Sequence, residues 1–564
     1  MQHQEKFAGN ERPGSQARDY ADAYRSFDLA GSVAKFFPGG IINAAVQCCD
    51  AHCGAKRTAL CWESQDGQTT NLTFEQLKEL SGKFAAVLQR QGIGKGDRIG
   101  GLLPRTPELL VTALAAWRIG AVYQPLFTAF GPKALDHRVS VAGTKVIVTD
   151  SANRPKLDMI DHPLTIITVR GLGDHLAEND LDFHDEVHRH AAIAEPLSLS
   201  LDDPFLIMFT SGTTGLAKAV LVPLRAIVPF ANYVIEAVGL LPTDAFWNMA
   251  DPGWAYGLYF GIVGPLAIGH SIFFYDGAFT PEGTIRIIRN RGISNLAGAP
   301  TAYRLLATAG PEAVSEIKGQ LRAASSAGEP LNPEIIRWFA EHLEATIHDH
   351  YGQTEVGMVI CNHHGLAHSV ESGTAGFASP GYRAVVLDKD GQELSAGIPG
   401  DLAIDLQNSS LFWFAGYEGL PTSSLGERYY LTGDTAELNL SGSISFIGRA
   451  DDVITSSGYR IGPFDVESAL IEHPAVVEAG VIGKPDPERT EIVKAFVVLG
   501  VGHSPSPDLA ETLRRFVRDR LSAHAYPREI EFVDNLPKTP SGKIQRFVLR
   551  NQELAKAESA ARGN

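Results

Sequence analysis

The chain is predicted to be an α/β protein with layered α/β subdomains, a more β-rich subdomain, and a small α+β module at the C-terminal end. Three patterns carry this expectation. Segments of helical apolar spacing alternate with short β-rich runs through the first part of the chain, as in layers built on largely parallel sheets. Asp388-Lys389-Asp390-Gly391 reads as a hairpin turn inside a β-like stretch, Ala384 to Leu406. After Arg449 to Asp452 come a helix, two strands, a helix and a strand within roughly a hundred residues, a normal domain size.

Thr73 to Gly92 has helical apolar spacing, opened by Thr73-Phe74-Glu75 and closed by glycine. Arg98 to Leu103 reads as a strand, Pro107 to Ile119 as a helix and Ala121 to Pro125 as a strand. Lys145 to Thr149 and Leu164 to Thr168 add further short β-rich runs. In the last module the predicted elements are helix Pro463 to Glu472, strands Val476 to Ile482 and Ile492 to Leu499, helix Asp508 to Leu521 and strand Glu529 to Phe532. No internal repeat is evident.

The chain has 564 residues, 44% hydrophobic and 20% charged, a globular balance long enough for more than one domain. A formal charge of −16 argues against nucleic acid or an anionic membrane as the main partner, so an anion site needs a local basic cluster. Five scattered cysteines fit free thiols in a reducing compartment. Cys48, Cys49, His52 and Cys53 are read as lying along one helix from Ile42 rather than as zinc ligands, because no second ligand pair follows at finger spacing. Met1 to Tyr20 is polar without an apolar core, so the expectation is no signal peptide and a cytoplasmic protein. Leu258 to Tyr275 is apolar but holds three glycines, a proline and His270, which suits buried core better than a membrane span.

The run Thr210-Ser211-Gly212-Thr213-Thr214-Gly215-Leu216-Ala217-Lys218 lies between the apolar runs Phe205 to Phe209 and Ala219 to Leu224, and reads as strand, turn, strand. Glycines let backbone N–H groups turn toward an anion, hydroxyls add donors and lysine adds charge, which suits nucleotide phosphates. Walker A spacing is absent, and by itself the run is as readily an exposed hairpin turn.

Four further segments follow in order: Tyr351-Gly352-Gln353-Thr354-Glu355; Leu431-Thr432-Gly433-Asp434; Gly448-Arg449-Ala450-Asp451-Asp452 leading into Ser457-Gly458-Tyr459-Arg460; and Pro537-Lys538-Thr539-Pro540-Ser541-Gly542-Lys543. With the loop at 210–218 they resemble the motifs of the adenylate-forming (AMP-binding) superfamily, and Asp251-Pro252-Gly253-Trp254-Ala255-Tyr256 resembles its acetyl- and medium-chain acyl-CoA synthetase branch. The resemblance runs from about Phe27 to Arg550. It implies a flexible lead-in (1–26), an N-terminal adenylation domain (27–450) and a mobile C-terminal lid (451–564) hinged near Asp451.

The same resemblance implies the chemistry: a carboxylic acid and ATP give an acyl-adenylate and pyrophosphate, then coenzyme A gives the thioester and AMP. The carboxylate is already ionised at neutral pH and needs no general base, so catalysis rests on positioning and charge stabilisation. By resemblance, Thr210, Ser211, Gly212, Thr213, Thr214, Gly215 and Lys218 hold the phosphates, although Ala217 stands where the family commonly has proline. Gly328, Glu329 and Pro330 pack on adenine, Asp349 faces its amino group, and Asp434 and Arg449 meet the ribose. Tyr351, Gly352 and Gln353 belong to the same nucleotide site. Thr354 meets the α-phosphate and Glu355 holds Mg2+, a hard ion suited to a carboxylate. Lys543 is the lid lysine that bridges carboxylate and α-phosphate, and Arg460 meets phosphate. In the second step Ser457, Gly458 and Tyr459 replace Lys543 and admit the pantetheine arm. An acyltransferase that modifies Lys543 is a further partner this resemblance suggests.

Trp254, Ala255, Tyr256, Ala327 and Gly352 are the expected acyl-pocket residues. Acetate-specific relatives carry tryptophan at the position of Gly352, so glycine is expected to deepen the pocket, disfavouring acetate and favouring a short- to medium-chain or branched acid. Tyr256 is expected to refill part of that space. His363 and His364 are read as structural or surface residues. Two alternatives stand beside this reading: transfer of the acyl group to a carrier protein's phosphopantetheine, and a non-catalytic nucleotide-binding protein. The joint presence of Lys218, Glu355, Asp434 and Lys543 argues against the second.

Overall fold

The computed structural model describes residues 17–562 except 172, 194, 211–216, 372, 457–458, 487–488, 522–524 and 539–542; at 459, 460 and 557–562 it describes the backbone alone. Among the described residues the first large sheet has seven strands. In spatial order they are Ala219–Pro223, Pro204–Phe209, Val122–Pro125, Arg98–Leu102, Thr144–Asp150, Thr165–Val169 and Leu181–Asp182. All neighbouring pairs are parallel except the first, where Ala219–Pro223 returns antiparallel to Pro204–Phe209. Phe205 to Phe209 are all buried, as a parallel-sheet strand covered on both faces requires.

A second sheet has six strands, of which Phe246–Asn248, Asn295–Gly298, Ala323–Ala327 and Ile347–Gln353 run parallel. Its strand Gly357–Cys361 then turns back antiparallel to Ile347–Gln353. The predicted helices Pro107–Arg118 and Phe74–Arg90 form, the latter closed by a reciprocal cap in which Thr73 and Gln76 each bond the other's backbone N–H. The β-rich subdomain is a four-stranded antiparallel sheet containing Ala384–Leu387, Gly400–Asp405, Tyr429–Leu438 and Ile444–Arg449.

Beyond Arg449 the chain builds a separate apolar cluster that includes Ile454, Val466, Leu470, Val481, Val497, Leu513 and Val517. Here the predicted helices and strands appear as Pro463–Ile471, Val476–Asp486, Thr490–Leu499, Pro507–Arg520 and Glu529–Phe532. A last helix, Arg546–Arg562, was not legible in the sequence because its polar and apolar residues show almost no segregation to opposite faces.

Two local expectations change. The lead-in drawn to residue 26 already contains structure: Arg18–Asp19 pairs with Leu366–Ala367, and the helix Tyr20–Arg25 follows. Tyr20 and Tyr24 donate to the carbonyls of Ala378 and Tyr382, so aromatic side chains anchor a segment whose composition reads as polar. The helix from Ile42 is shorter than expected, Ala44–Cys48, with a separate tight turn at Asp50–His52. Cys48 and Cys49 are buried and burial pushes their thiols up.

Candidate active site

The four parallel strands of the second sheet end at one place. Beyond their carboxyl ends lie Met249, Ala299, Gly328 and Thr354, and all four line a single large cavity of about 3440 Å³. This is where open α/β sheets bind ligands, because loops leaving adjacent strand ends diverge and leave a crevice. The cavity reaches from Lys218 and the acyl-pocket residues to Asp434, Arg449, Asp451 and Lys543.

Asp434 lies in the cavity lining. Its strand Tyr429–Leu438 pairs with Ile444–Arg449 so that Asp434 and Arg449 stand directly opposite. Asp434 is 3% exposed; Tyr351 donates its hydroxyl to Oδ2 and Gln353 its amide at 2.9 Å. Gln353 is itself held by the Tyr430 hydroxyl at 2.9 Å and bonds the Thr432 carbonyl at 2.8 Å. Burial pushes the Asp434 carboxyl up, while Arg449, these donors and the Lys543 ammonium favour its charged form. The Arg449 guanidinium lies 3.6 Å from Asp434 and 3.6 Å from Asp451.

The strand Ala323–Ala327 runs into Gly328, whose φ of +99° favours glycine and whose Cβ position is open, before Glu329 and Pro330. Asp349 is on the adjacent strand. Its Oδ2 accepts from the Leu331 amide at 3.2 Å, and its Oδ1 is buried without a hydrogen bond. Burial pushes this carboxyl up to about 7. The Ser326 hydroxyl and the His350 N–H favour its charged form, and a carboxyl with acceptor capacity to spare would suit the amino group of a base.

Lys218 and Glu355 are linked through Tyr417. The ends of the loop pair across the hairpin, with Thr210 N–H to the Lys218 carbonyl at 3.0 Å; Ser211, Gly212, Thr213, Thr214 and Gly215 lie outside the described residues. The Lys218 ammonium sits 4.7 Å over the Tyr417 ring, and the Tyr417 hydroxyl donates to Glu355 at 2.8 Å. Glu355 is 8% exposed, and burial pushes its carboxyl up. Among the described residues no group of three or more acidic, histidine or cysteine side chains could hold a metal. A buried carboxylate of this kind would fit Mg2+, an ion that keeps few protein ligands. The Thr354 carbonyl accepts from Tyr259 at 3.1 Å, which fixes the turn carrying Thr354 and Glu355.

Tyr417 and Tyr430 were missed in the sequence. Tyr430 lies beside a motif that was read, but Tyr417 carries no pattern of its own; only the fold brings it between Lys218 and Glu355.

At the acyl end, Trp254, Ala255, Tyr256 and Ala327 line the cavity. Trp254 packs against Phe127 and Phe130, with centroids 5.6 and 5.5 Å away. The Tyr256 hydroxyl lies 3.4 Å from that of Tyr233, which bonds His350 Nδ1 at 2.7 Å. Gly352 also meets a second constraint. It lines the cavity, but an added Cβ would collide with the Gly357 carbonyl and lie 2.8 Å from the Met358 Cα. The bulge between Tyr351 and Gly352 brings the returning strand against it, so close backbone approach by itself favours glycine here. His363 is buried, and His364 is half-buried and stacks on His348 at 3.6 Å.

Lys543 lines the cavity, and Asp451 follows the end of the strand Ile444–Arg449. Ser457 and Gly458 lie outside the described residues, as do the side chains of Tyr459 and Arg460.

A crevice beyond the carboxyl ends of a parallel sheet, lined by Lys218 and the buried carboxylates Asp349, Glu355 and Asp434, suits a nucleotide-dependent enzyme of the adenylating class. The chain belongs to the AMP-binding enzyme family: that family's profile matches residues 49–412, and the profile of the AMP-binding enzyme C-terminal domain matches residues 465–543. It is an acid–thiol ligase. It is 38% identical over 548 residues to an acetyl-coenzyme A synthetase of Bacillus subtilis, covering 95% of each chain. Among solved structures it resembles an acyl-CoA synthetase of Brucella canis (55% identity, TM-score 0.78, 96% of this chain and 100% of that one). It also resembles a benzoate CoA ligase of Burkholderia xenovorans (28% identity, TM-score 0.79, 90% and 99%).

Proposed function

We propose that this protein is an AMP-forming acyl-CoA synthetase acting on a short- to medium-chain or small branched acid, with acetate disfavoured. ATP, Mg2+ and coenzyme A are its cosubstrates and metal. The observation that carries the reading is the joining of a nucleotide floor (Asp349, Gln353, Asp434), a phosphate-side charge row (Lys218, Glu355) and Lys543 around the cavity that also reaches Ala255 and Ala327. The related enzymes act on acids as different as acetate and benzoate, so family membership does not select the acid. Ala255 and Ala327, small residues of the cavity lining, support a chain longer than acetate, and Tyr256, beside Tyr233, supports a limit on its bulk. Each extra buried methylene is worth about 0.8 kcal/mol, so neighbouring chain lengths are discriminated only modestly.

In this reading the substrate carboxylate attacks the α-phosphorus of ATP. Lys543 and Arg460 offset the charge of the two reacting anions, and Thr354 and Glu355 hold the phosphate and its magnesium. Rotation about Asp451 then withdraws Lys543 and brings Ser457, Gly458 and Tyr459 to the acyl-adenylate for thiol attack.

The test is AMP formation with ATP and Mg2+ across straight, branched and aromatic acids, with and without coenzyme A. Coenzyme A-dependent AMP and thioester with butyrate or isobutyrate above acetate is expected. Equal or higher turnover with acetate removes the chain-length reading, and adenylate formed without transfer to coenzyme A moves the acceptor to a carrier protein.

A further inference from the structure

Lys543 must be delivered to a cavity whose nucleotide side is fixed, so whatever fixes Lys543 within its own domain sets its aim. Directly after it, Ile544 bridges back to Lys538, and the Gln545 N–H bonds the Pro537 carbonyl at 2.8 Å. Ile544 packs with Ile482, Phe496, Leu536 and Leu549. The helix Arg546–Arg562 begins at the next residue. Its first residue, Arg546, grips Glu467 through two nitrogens at 2.7 and 3.1 Å, and Glu467 also accepts from the Val481 N–H at 2.8 Å. Arg546 Nη1 also lies 3.5 Å from Asp452, and Arg550 on the next turn bonds the other Asp452 oxygen. The Asp452 N–H bonds the Arg449 carbonyl at 2.9 Å, and Asp451 lies between them.

Two guanidiniums and two carboxylates therefore join the lysine segment to the residues at the proposed hinge. The side chains of Asp452 and Glu467 are 12% and 6% exposed, so desolvation offsets much of their attraction. Such a cluster is a poor device for stability alone. Its forked, charge-assisted bonds are directional and fix relative geometry.

We infer that Asp452 is a positioning residue for adenylate formation, acting through Arg546 and Arg550 to hold the base of the Lys543 segment in register with the hinge. The inference rests on the lid reading above, in which Lys543 serves the first half-reaction and is withdrawn for the second. Loss of the clamp impairs the step that needs Lys543 and spares the other.

The experiment uses the full chain with butyrate as the probe acid. Pyrophosphate release reports the first half-reaction, and thioester formation from supplied butyryl-adenylate and coenzyme A reports the second. Asp452→Asn and Arg550→Gln are compared with wild type and with Lys543→Ala. For Asp452→Asn the first rate is expected to fall about 100-fold with little change in KM for ATP, as a small misplacement of a catalytic group produces. The second is expected to stay within about threefold of wild type, the contrast that a step-specific role requires. Arg546→Lys, which keeps charge but loses the fork, gives an intermediate loss and serves if the asparagine variant unfolds. Equal loss in both half-reactions, or no loss in the first, overturns the inference. If Lys543→Ala itself leaves pyrophosphate release intact, the lid reading fails, a result distinct from failure of the clamp alone.

Discussion

The two walls of the cavity are built on opposite plans. The nucleotide wall presents buried carboxylates carried on or directly beyond strands. Asp349 is inside the sheet strand Ile347–Gln353, Glu355 stands just past that strand's end, and Asp434 is pinned by Tyr351, Gln353 and Arg449. The second wall offers Lys543 on a short segment between a β-bridge and a helix whose first turns carry Arg546 and Arg550. In the proposed reading, groups that recognise a neutral base and ribose can be rigid and desolvated in advance, whereas a cation that serves only the first step needs a movable carrier with a stiff mount.

The largest expected break in this comparison is Lys543→Ala. Adenylate formation should fall about 1000-fold, in the range of removing one preorganised charge-stabilising group. Thioester formation from supplied acyl-adenylate should persist, as read by separate pyrophosphate and thioester assays. Similar losses in both would mean that the two walls do not divide the work.

Asp434→Asn probes the fixed wall. It leaves the Tyr351 hydroxyl and Gln353 amide with a poorer acceptor and removes the partner of Arg449, at a cost of about 2–3 kcal/mol. ATP affinity, read by calorimetry of the Mg-nucleotide, should fall by roughly two orders of magnitude. Unchanged affinity would place the ribose elsewhere.

Gly352→Ala sharpens the point that the bulge is a packing constraint. The added methyl must displace the Gly357–Met358 backbone, and a loss of about 1–3 kcal/mol in unfolding free energy is expected. Wild-type stability, with an altered acyl-chain profile, would favour the pocket-depth reading.

The smallest effect concerns pH. The Asp349 carboxyl is raised to about 7 by burial. Its unfolded counterpart titrates near the usual value of about 4, so the folded state binds the extra proton between those limits. That contribution to stability is present below about pH 4 and is lost as pH rises through about 7. Asp349→Asn should therefore stabilise the ligand-free protein at pH 8 relative to pH 5, by about 1–2 kcal/mol once relaxation is allowed for. Denaturant midpoints at the two pH values decide it, and a change of opposite sign would mean that Asp349 is held ionised.

Much of the fold was legible because periodicity and turn chemistry are local. The helices at 74–90 and 107–118, the strand pair flanking the phosphate loop, and the order of elements after Arg449 all follow from side-chain spacing. The helix Arg546–Arg562 was not, since its faces are not segregated and charged residues fix its first turns.

For the site, the sequence alone determined the chemical inventory and its order along the chain: hydroxyls, glycines and Lys218 in one loop, then Glu355, Asp434, Arg449 and Lys543. Tertiary structure decided which groups meet. Tyr417 joins Lys218 to Glu355 across residues remote in sequence, and Asp452 is tied to a helix at the far end of its domain. The same is true of Gly352, whose meaning depends on a strand that returns against it. Local pattern fixes what a residue can do; long-range packing fixes which atoms stand within reach of it, and no periodicity within one segment encodes that.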